Sequence, residues 1–146
     1  MEIREEEWTL EFFEETKEMM YEWLDGLEPT SQKAHIDPIV YRRASMRGEL
    51  VLFVPRVNGR AVGYLKYWLI DDMNHESHIA QQAGIYLEEE HRGNNAFKLI
   101  KFAEKTLKEK YKVDVIVHIS TNKKDLGPFF KYLKYREAET TYIKEI

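Results

Sequence analysis

The chain has 146 residues, 43% hydrophobic and 33% charged, with a net charge of −4, which suits a single globular domain, residues 1–146, with a core of its own. It has no cysteine, which excludes disulfides, thiolate nucleophiles and sulfur-ligated zinc and fits a cytoplasmic setting. No apolar run approaches the ~18 residues of a membrane span, and the acidic opening "MEIREEEW" is unlike a signal peptide.

Ile3 alternating with charges marks a first, edge strand. Thr9 is placed to cap a helix on which Leu10, Phe13, Met20, Trp23, Leu24 and Leu27 recur at helical spacing, with Glu11, Glu14 and Glu15 near its positive end. "EPTSQ" (28–32) breaks that helix. Asp37-Pro38 supplies the cap and first residue of a second helix, ending near Gly48. Two β-rich runs then flank Asn58-Gly59, the strongest short hairpin signal. "DDMNHES" is a further turn and "HIAQQAGIYLE" the strand after it. Ala96, Leu99, Ile100, Ala103 and Leu107 form one face of a helix reaching about Lys110. "VDVIVHIS" reads as a strand covered on both faces, Leu126 to Leu133 as a short helix, and "YREAETTYIKEI" as a weakly alternating last strand. Phe12, Phe13, Trp23 and Trp68 are core by spacing. The order predicts an α/β (α+β) fold, with a mixed, mostly antiparallel central sheet, helices on both faces and one parallel pair of central strands.

Charge is unevenly spread. Residues 1–28 hold two basic and eleven acidic side chains, a net −9, which leaves +5 for the rest of the −4 chain. Ten lysines lie between residues 98 and 134. They would attract an anionic ligand, and the acidic first helix a cationic one, although a solvated face is the plainer reading of both. A nucleic-acid module would more often be basic throughout, with arginines poised for bases; nucleic acid and membrane are not expected partners.

Arg92-Gly93-Asn94-Asn95 joins a strand to a helix. A helix start leaves amide donors unpaired and partly positive, Gly93 allows close backbone approach, and Arg92 adds a charged contact, so the junction suits a phosphate.

The second half resembles the GCN5-related N-acetyltransferase (GNAT) family. "LEEEHRGNNAFKLIKFAE" (87–104) stands where that family has V-x-P-x-[YF]-[RQ]-G-x-G-x-[GA] and an amphipathic helix, with Leu87 as the valine and His91 in the aromatic slot. Asn122 and "FFKYLKY" (129–135) resemble the family's later Asn and F-Y-x-x-x-G-[FY]. Shortening the turn by one residue places Ala96 on the motif's last small position and restores the helical period of Leu99, Ile100 and Ala103. The resemblance implies an enzyme that moves acetyl from acetyl-CoA to a primary amine, of a small molecule or of a protein lysine or N-terminus, by direct attack in a ternary complex. It implies two splayed parallel strands with the cofactor between them. Arg92, Gly93, Asn94, Asn95 and Ala96 would hold the pyrophosphate, main-chain groups around Tyr86 and Leu87 the pantetheine arm, and Asn122 and Phe130 the far side. A homodimer is left open, and the lysine-rich character loosely resembles phage-encoded members, which work in a host cytoplasm.

Two departures bear on chemistry. Asn95 replaces a glycine, although Asn tolerates left-handed backbone well. Phe130 stands where many members have a tyrosine that protonates the leaving thiolate, and phenylalanine has no proton to give. Tyr132 or Tyr135 would then supply a hydroxyl, or a water would. For the amine's proton the candidates are His78, which titrates near neutrality, and Gln81, which orients but cannot act as a base; alternation puts them on opposite faces unless a bulge intervenes. Tyr132 is the hydroxyl candidate carried forward. Asp71, Asp72, His75, Glu76 and His78 lack the spacing of a closed metal site, so no metal is expected. His118, inside an apolar strand, reads as a core histidine. The alternative function is a catalytically weak or inactive protein of this fold, binding acyl-CoA or a partner.

Overall fold

In the computed structural model, residues 1–25, 27, 31 and 33–146 are described. Of "EPTSQ" only Ser31 is among them, so the expected break there lies outside the described residues. Strands β1 (Glu2–Glu6), β2 (Leu50–Val57), β3 (Arg60–Ala61), β4 (Gly63–Asp72), β5 (Ser77–Leu87) and β6 (Val115–Val117) alternate with helices α1 (Leu10–Leu24), α2 (Pro38–Met46), α3 (Asn94–Glu109) and α4 (Gly127–Tyr132). No helix among the described residues is long and apolar enough to cross a membrane.

Local chemistry sets most boundaries. The Thr9 hydroxyl oxygen accepts from the Phe12 amide at 3.0 Å, and Asp37 Oδ1 accepts from Ile39 at 3.0 Å with Pro38 as the first helical residue. Asn58 and Gly59, at φ 50° and 81°, turn β2 into β3.

The sheet runs β1-β2-β4-β5-β6, with β3 on β2, and every pairing is antiparallel except β5 with β6. One face packs Val51, Phe53, Leu65, Tyr67 and Ile85 against Leu99, Ile100, Ala103 and Leu107 of α3. The other packs Leu50, Leu52, Val54, Tyr64 and Tyr86 against Trp8, Phe12, Phe13 and Met20 around α1 and Ala44 of α2. The expected mixed sheet with helices on both faces is present.

Two sequence expectations need correction. "VDVIVHIS" is not covered on both faces: only three residues pair, and Val115 and Val117 are 44% and 38% exposed. The strand expected after Tyr135 does not form, and residues 136–146 are exposed without regular structure. They contain few apolar side chains, so a strand there would bury little against the β6 edge. The parallel pair therefore lies at an edge of the sheet and not at its centre.

Arg56 ties the N-terminal half together. Its guanidinium donates to both Glu6 oxygens at 2.7 and 2.9 Å, to both Glu15 oxygens at 3.0 and 3.3 Å, and to the Gly59 carbonyl at 2.7 Å. Those bonds join β1, β2, α1 and the hairpin turn. Replacing Arg56 by Met strands the partly buried Glu6 carboxylate and frees the exposed Glu15, and urea unfolding is expected to show a loss of about 1–3 kcal/mol.

Candidate active site

The β5 strand changes partners partway along. On one side it follows β4 for its whole length; on the other it meets β6 only from Ile79 to Gln81. Beyond that the two parallel strands part. The first residue past the ladder bridges the opening with its side chain, since Gln82 Oε1 lies 2.8 Å from His118 Nδ1 and 3.3 Å from the Ile119 amide. That amide is a donor, so the Gln82 atom facing it is the oxygen and His118 carries its proton on Nδ1. His118 Nε2 then accepts from the Tyr67 hydroxyl at 3.2 Å.

Opposite β4, Gln82 faces Tyr67 and Gly84 faces Lys66, leaving Ala83 as an extra residue in a bulge. Before the bulge, the His78 carbonyl accepts from Asp114 on the β6 side at 2.8 Å. After it, the Glu88 amide donates to Val62 on the β4 side at 2.9 Å. One inserted residue accounts for the exchange of even-numbered groups from one side to the other. Main-chain groups of Ile85 and Leu87 consequently face the gap. Those of Tyr86 face β4, where a side chain at Gly63 would collide with the Tyr86 carbonyl oxygen. The reading of Tyr86 and Leu87 as the gap-facing pair is thus moved by one residue, to Ile85 and Leu87.

At the C-terminal end of β5 the chain makes a short turn, Glu89–His91, and enters α3 through Arg92 and Gly93. Gly93 sits at φ 80°, ψ −126°, which side-chain-bearing residues avoid. The amides of Gly93, Asn94 and Asn95 donate to nothing among the described residues. A Cβ built on Gly93 meets nothing within 4 Å, so that side of the turn is open. Phe97 leaves it clear, packing on the α3-side core and tilting against Tyr132 at 6.3 Å. Arg92 Nε donates to the Leu87 carbonyl at 2.8 Å, with its guanidinium 5.8 Å from the Tyr86 ring centre. Behind the turn, Glu88 takes both Arg60 Nη groups at 2.6 and 2.9 Å, and those bonds hold its carboxyl below the usual range.

The far wall of the gap is the loop after β6. Asp125 Oδ1 accepts from the Gly127 amide and the Ser120 hydroxyl, and Asn122 stands exposed beside them. Lys124 Nζ reaches across to the carbonyls of Glu22 and Trp23 at the end of α1, at 3.3 and 3.2 Å. Phe130 is buried, stacked 4.5 Å from His118. Tyr132 is 72% exposed on α4. Tyr135 gives its hydroxyl to Glu104 at 2.9 Å, and burial followed by that carboxylate pushes its pKa far up, away from proton transfer near neutrality.

His78 is not brought to this gap. It lies near the start of β5 with Nδ1 2.6 Å from Asp71, about 13 Å along the strand from Gln82. The bulge comes after Gln81, so His78 and Gln81 stay on opposite faces. Gln81 is the last ladder residue and faces the α1 side with its partner Trp68. Sequence reasoning gave no role to Gln82, Glu22, Lys124 or Lys66. Only Lys66 left a signal: alternation in "YLKYW" puts it on the buried face shared by Tyr64 and Trp68.

His118 is a partly buried ionisable group of the gap wall, and desolvation holds its pKa down at about 4. The unfolded chain takes up this proton below pH 6.5 and the folded one only near 4, so stability present at neutral pH is lost on acidification through that window. The loss is worth up to about 3 kcal/mol. Urea titrations between pH 7 and 4 are expected to show it, and His118→Asn to lack that component.

With the geometry established, comparison with known proteins is informative. The Acetyltransferase (GNAT) family model matches residues 2–133. No curated protein sequence matches the chain. Among solved structures, ribosomal-protein-alanine N-acetyltransferase from Brucella melitensis biovar Abortus 2308 has a TM-score of 0.73 at 16% identity, covering 100% of both chains. An aminoglycoside acetyltransferase from an uncultured soil metagenomic sample, in complex with sisomicin, has 0.72 at 15%, covering 99% of this chain and 93% of its own. A transcriptional regulator from Bacillus halodurans C-125 has 0.75 at 17%, covering 99% and 100%. Likeness at such identity establishes a shared fold, and the chemistry has to come from the residues themselves. The opened parallel pair, the bulge and the amide cup at the head of α3 are carried on a chain that belongs to the GNAT acetyltransferase family.

Proposed function

We propose that the protein transfers an acetyl group from acetyl-CoA to a primary amine by direct attack in a ternary complex. The supporting observation is the gap beside β5, with main-chain groups of Ile85 and Leu87 turned into it and the open cup of Gly93, Asn94 and Asn95 amides at its end. An extended pantetheine arm pairs with such an edge as an added strand, and a diphosphate suits three free amides at a helix start. Arg92 spends Nε on Leu87, which leaves both Nη groups for phosphate oxygens. Ala96, the first small residue inside α3, keeps the approach narrow. Asn122 borders the arm from the far wall.

The acceptor enters from the α1 side, where Gln81 faces and where Glu22 holds the Tyr86 hydroxyl at 2.9 Å. Acidic α1 favours a cationic amine there, whether a small polyamine-like or aminoglycoside-like molecule or a protein amine. Exposed Tyr132 or a water returns the proton to the departing thiolate, because Phe130 is packed on His118 and has no hydroxyl. His78, at the other end of β5, has no part in this reading.

The same Phe130 packing favours a second reading, an acyl-CoA-binding protein without turnover. Thermal shift with desulfo-CoA, then thiol release from acetyl-CoA against spermidine, kanamycin and a lysine-bearing peptide, separates the two: stabilisation with turnover is expected, and stabilisation without it on any amine favours the binder. Gly93→Val forces a branched residue into the φ of 80° that shapes the turn, a conformation it resists. It is expected to weaken desulfo-CoA at least tenfold, about 1.4 kcal/mol, by calorimetry.

A further inference from the structure

Lys66 is a lysine buried to 4% exposure, with no carboxylate and no hydrogen-bond partner among the described residues. Its ammonium lies 4.1 Å from the ring centre of Tyr41, 5.3 Å from that of Trp8 and 5.7 Å from that of Tyr64. No sealed side-chain nitrogen in the described residues lacks a partner, so Nζ keeps some accessible surface. The side chain leaves β4 opposite Gly84 and leans over β5, with Cε 3.0 Å from where a Gly84 Cβ would stand. Gly84 adjoins the Ala83 bulge, and the face is the one Gln81 shares. The amine is thereby held over the bend in β5, on the α1 face of the sheet.

We infer that Lys66 is the general base that takes the acceptor amine's proton. The inference rests on the acetyl-transfer reading and adds the group missing from it. In the step, Lys66 Nζ takes a proton from the acceptor ammonium; the freed nitrogen lone pair forms a bond to the thioester carbonyl carbon, and the nitrogen sheds its second proton to water. The carbon–sulfur bond breaks with its electron pair going to sulfur, and the thiolate takes a proton from water or Tyr132. Lys66 then returns its own proton to solvent, leaving an acetamide and CoA thiol.

Burial brings Lys66 down to about 8, where an amine is part neutral at working pH while three ring faces still steady its charged form. The groups facing it are Tyr41 from α2, Tyr64 from β4 and Tyr86 from β5, all with pKa values raised by burial, and behind Tyr86 the Glu22 carboxylate of α1. Arg42 of α2 is turned away onto the Trp8 carbonyl. None of these groups offers a proton acceptor at Nζ itself.

The test compares wild type with Lys66→Met and Lys66→Arg, using whichever of spermidine, kanamycin or lysine peptide turns over, between pH 6 and 10. Wild-type kcat/KM is expected to fall below about pH 8. Both variants lose about 100-fold at the plateau along with that limb, and both keep wild-type desulfo-CoA affinity. Hydroxylamine, already uncharged at pH 7, shows little difference between the three proteins. A Lys66→Met enzyme within twofold of wild type and with the limb intact overturns the base and leaves acetyl transfer standing. Failure of wild type to bind desulfo-CoA or to turn over any panel amine overturns both. Should either variant not fold, the Lys66 ammonium of 15N-lysine-labelled wild type decides by NMR: titration near 8 supports the role, and titration above 10 removes it.

Discussion

One extra residue in one strand governs what this sheet can do. Without Ala83, β5 would keep a single alternation, and the same side of its backbone that bonds β6 at His78 would continue past Gln82. The even-numbered groups would point into the opening and the odd ones would pair with β4. The bulge reverses this after Gln82, so Gly84 and Tyr86 are tied to β4 while Ile85 and Leu87 face outward. It also resets which side chains meet each layer, and Ile85 and Leu87 reach the α3 core as a result. Backbone and side-chain partition thus change at one point, and the parting of β5 from β6 begins there.

Opening a parallel pair exposes polar groups that a sheet normally satisfies, and the structure answers with side chains. Gln82 takes the Ile119 amide that a ladder carbonyl would have taken, and His118 fixes Gln82 by donating to the same oxygen. Phe130 stacked on His118 and Tyr135 edge-on to it seal that wall. In this setting a phenylalanine at position 130 has a packing reason: a hydroxyl there would need its own partner in an already satisfied cluster. On the opposite face lies the buried amine of Lys66, which has rings around it and no acceptor among the described residues. The two faces of one bulge therefore carry a closed polar network, whose His118 stays neutral at working pH, and an amine without a hydrogen-bond partner among the described residues.

Residue types with one local meaning were legible in the sequence. Thr9, Asp37-Pro38 and Asn58-Gly59 each set a cap or turn through their own backbone preferences, and the α3 stripe from Ala96 to Leu107 follows from helical period. The Arg92-Gly93 junction was legible for the same reason. Ala83 was not, because a bulge is a property of two paired strands and alanine marks it with no special torsion. The parity of Tyr86 and the isolation of His78 both follow from that unseen shift or from distance along a strand. Apolar "VDVIVHIS" suggested burial, but burial depends on neighbours that the weakly alternating tail does not supply. Lys66 lies on the alternation of β4, but alternation alone does not mark a lysine as buried, because lysines are seldom buried without partners.

The ends of the gap are linked through α1. Glu22 holds the Tyr86 hydroxyl, and Tyr86 is the ring beneath the Arg92 guanidinium that caps the Leu87 carbonyl. Lys124 from the far wall is bound to the carbonyls of Glu22 and Trp23 at the last turn of the same helix, where carbonyls lack helical partners. A single helix end thus touches the anion cup through Tyr86 and Arg92, and the opposite wall through Lys124. A cation arriving at Glu22 competes with the Tyr86 hydroxyl for that carboxylate, and its first effect falls on the ring that supports Arg92. In the proposed reaction, acceptor entry and cofactor grip would consequently be joined by three side chains, with no need for a larger rearrangement of the sheet.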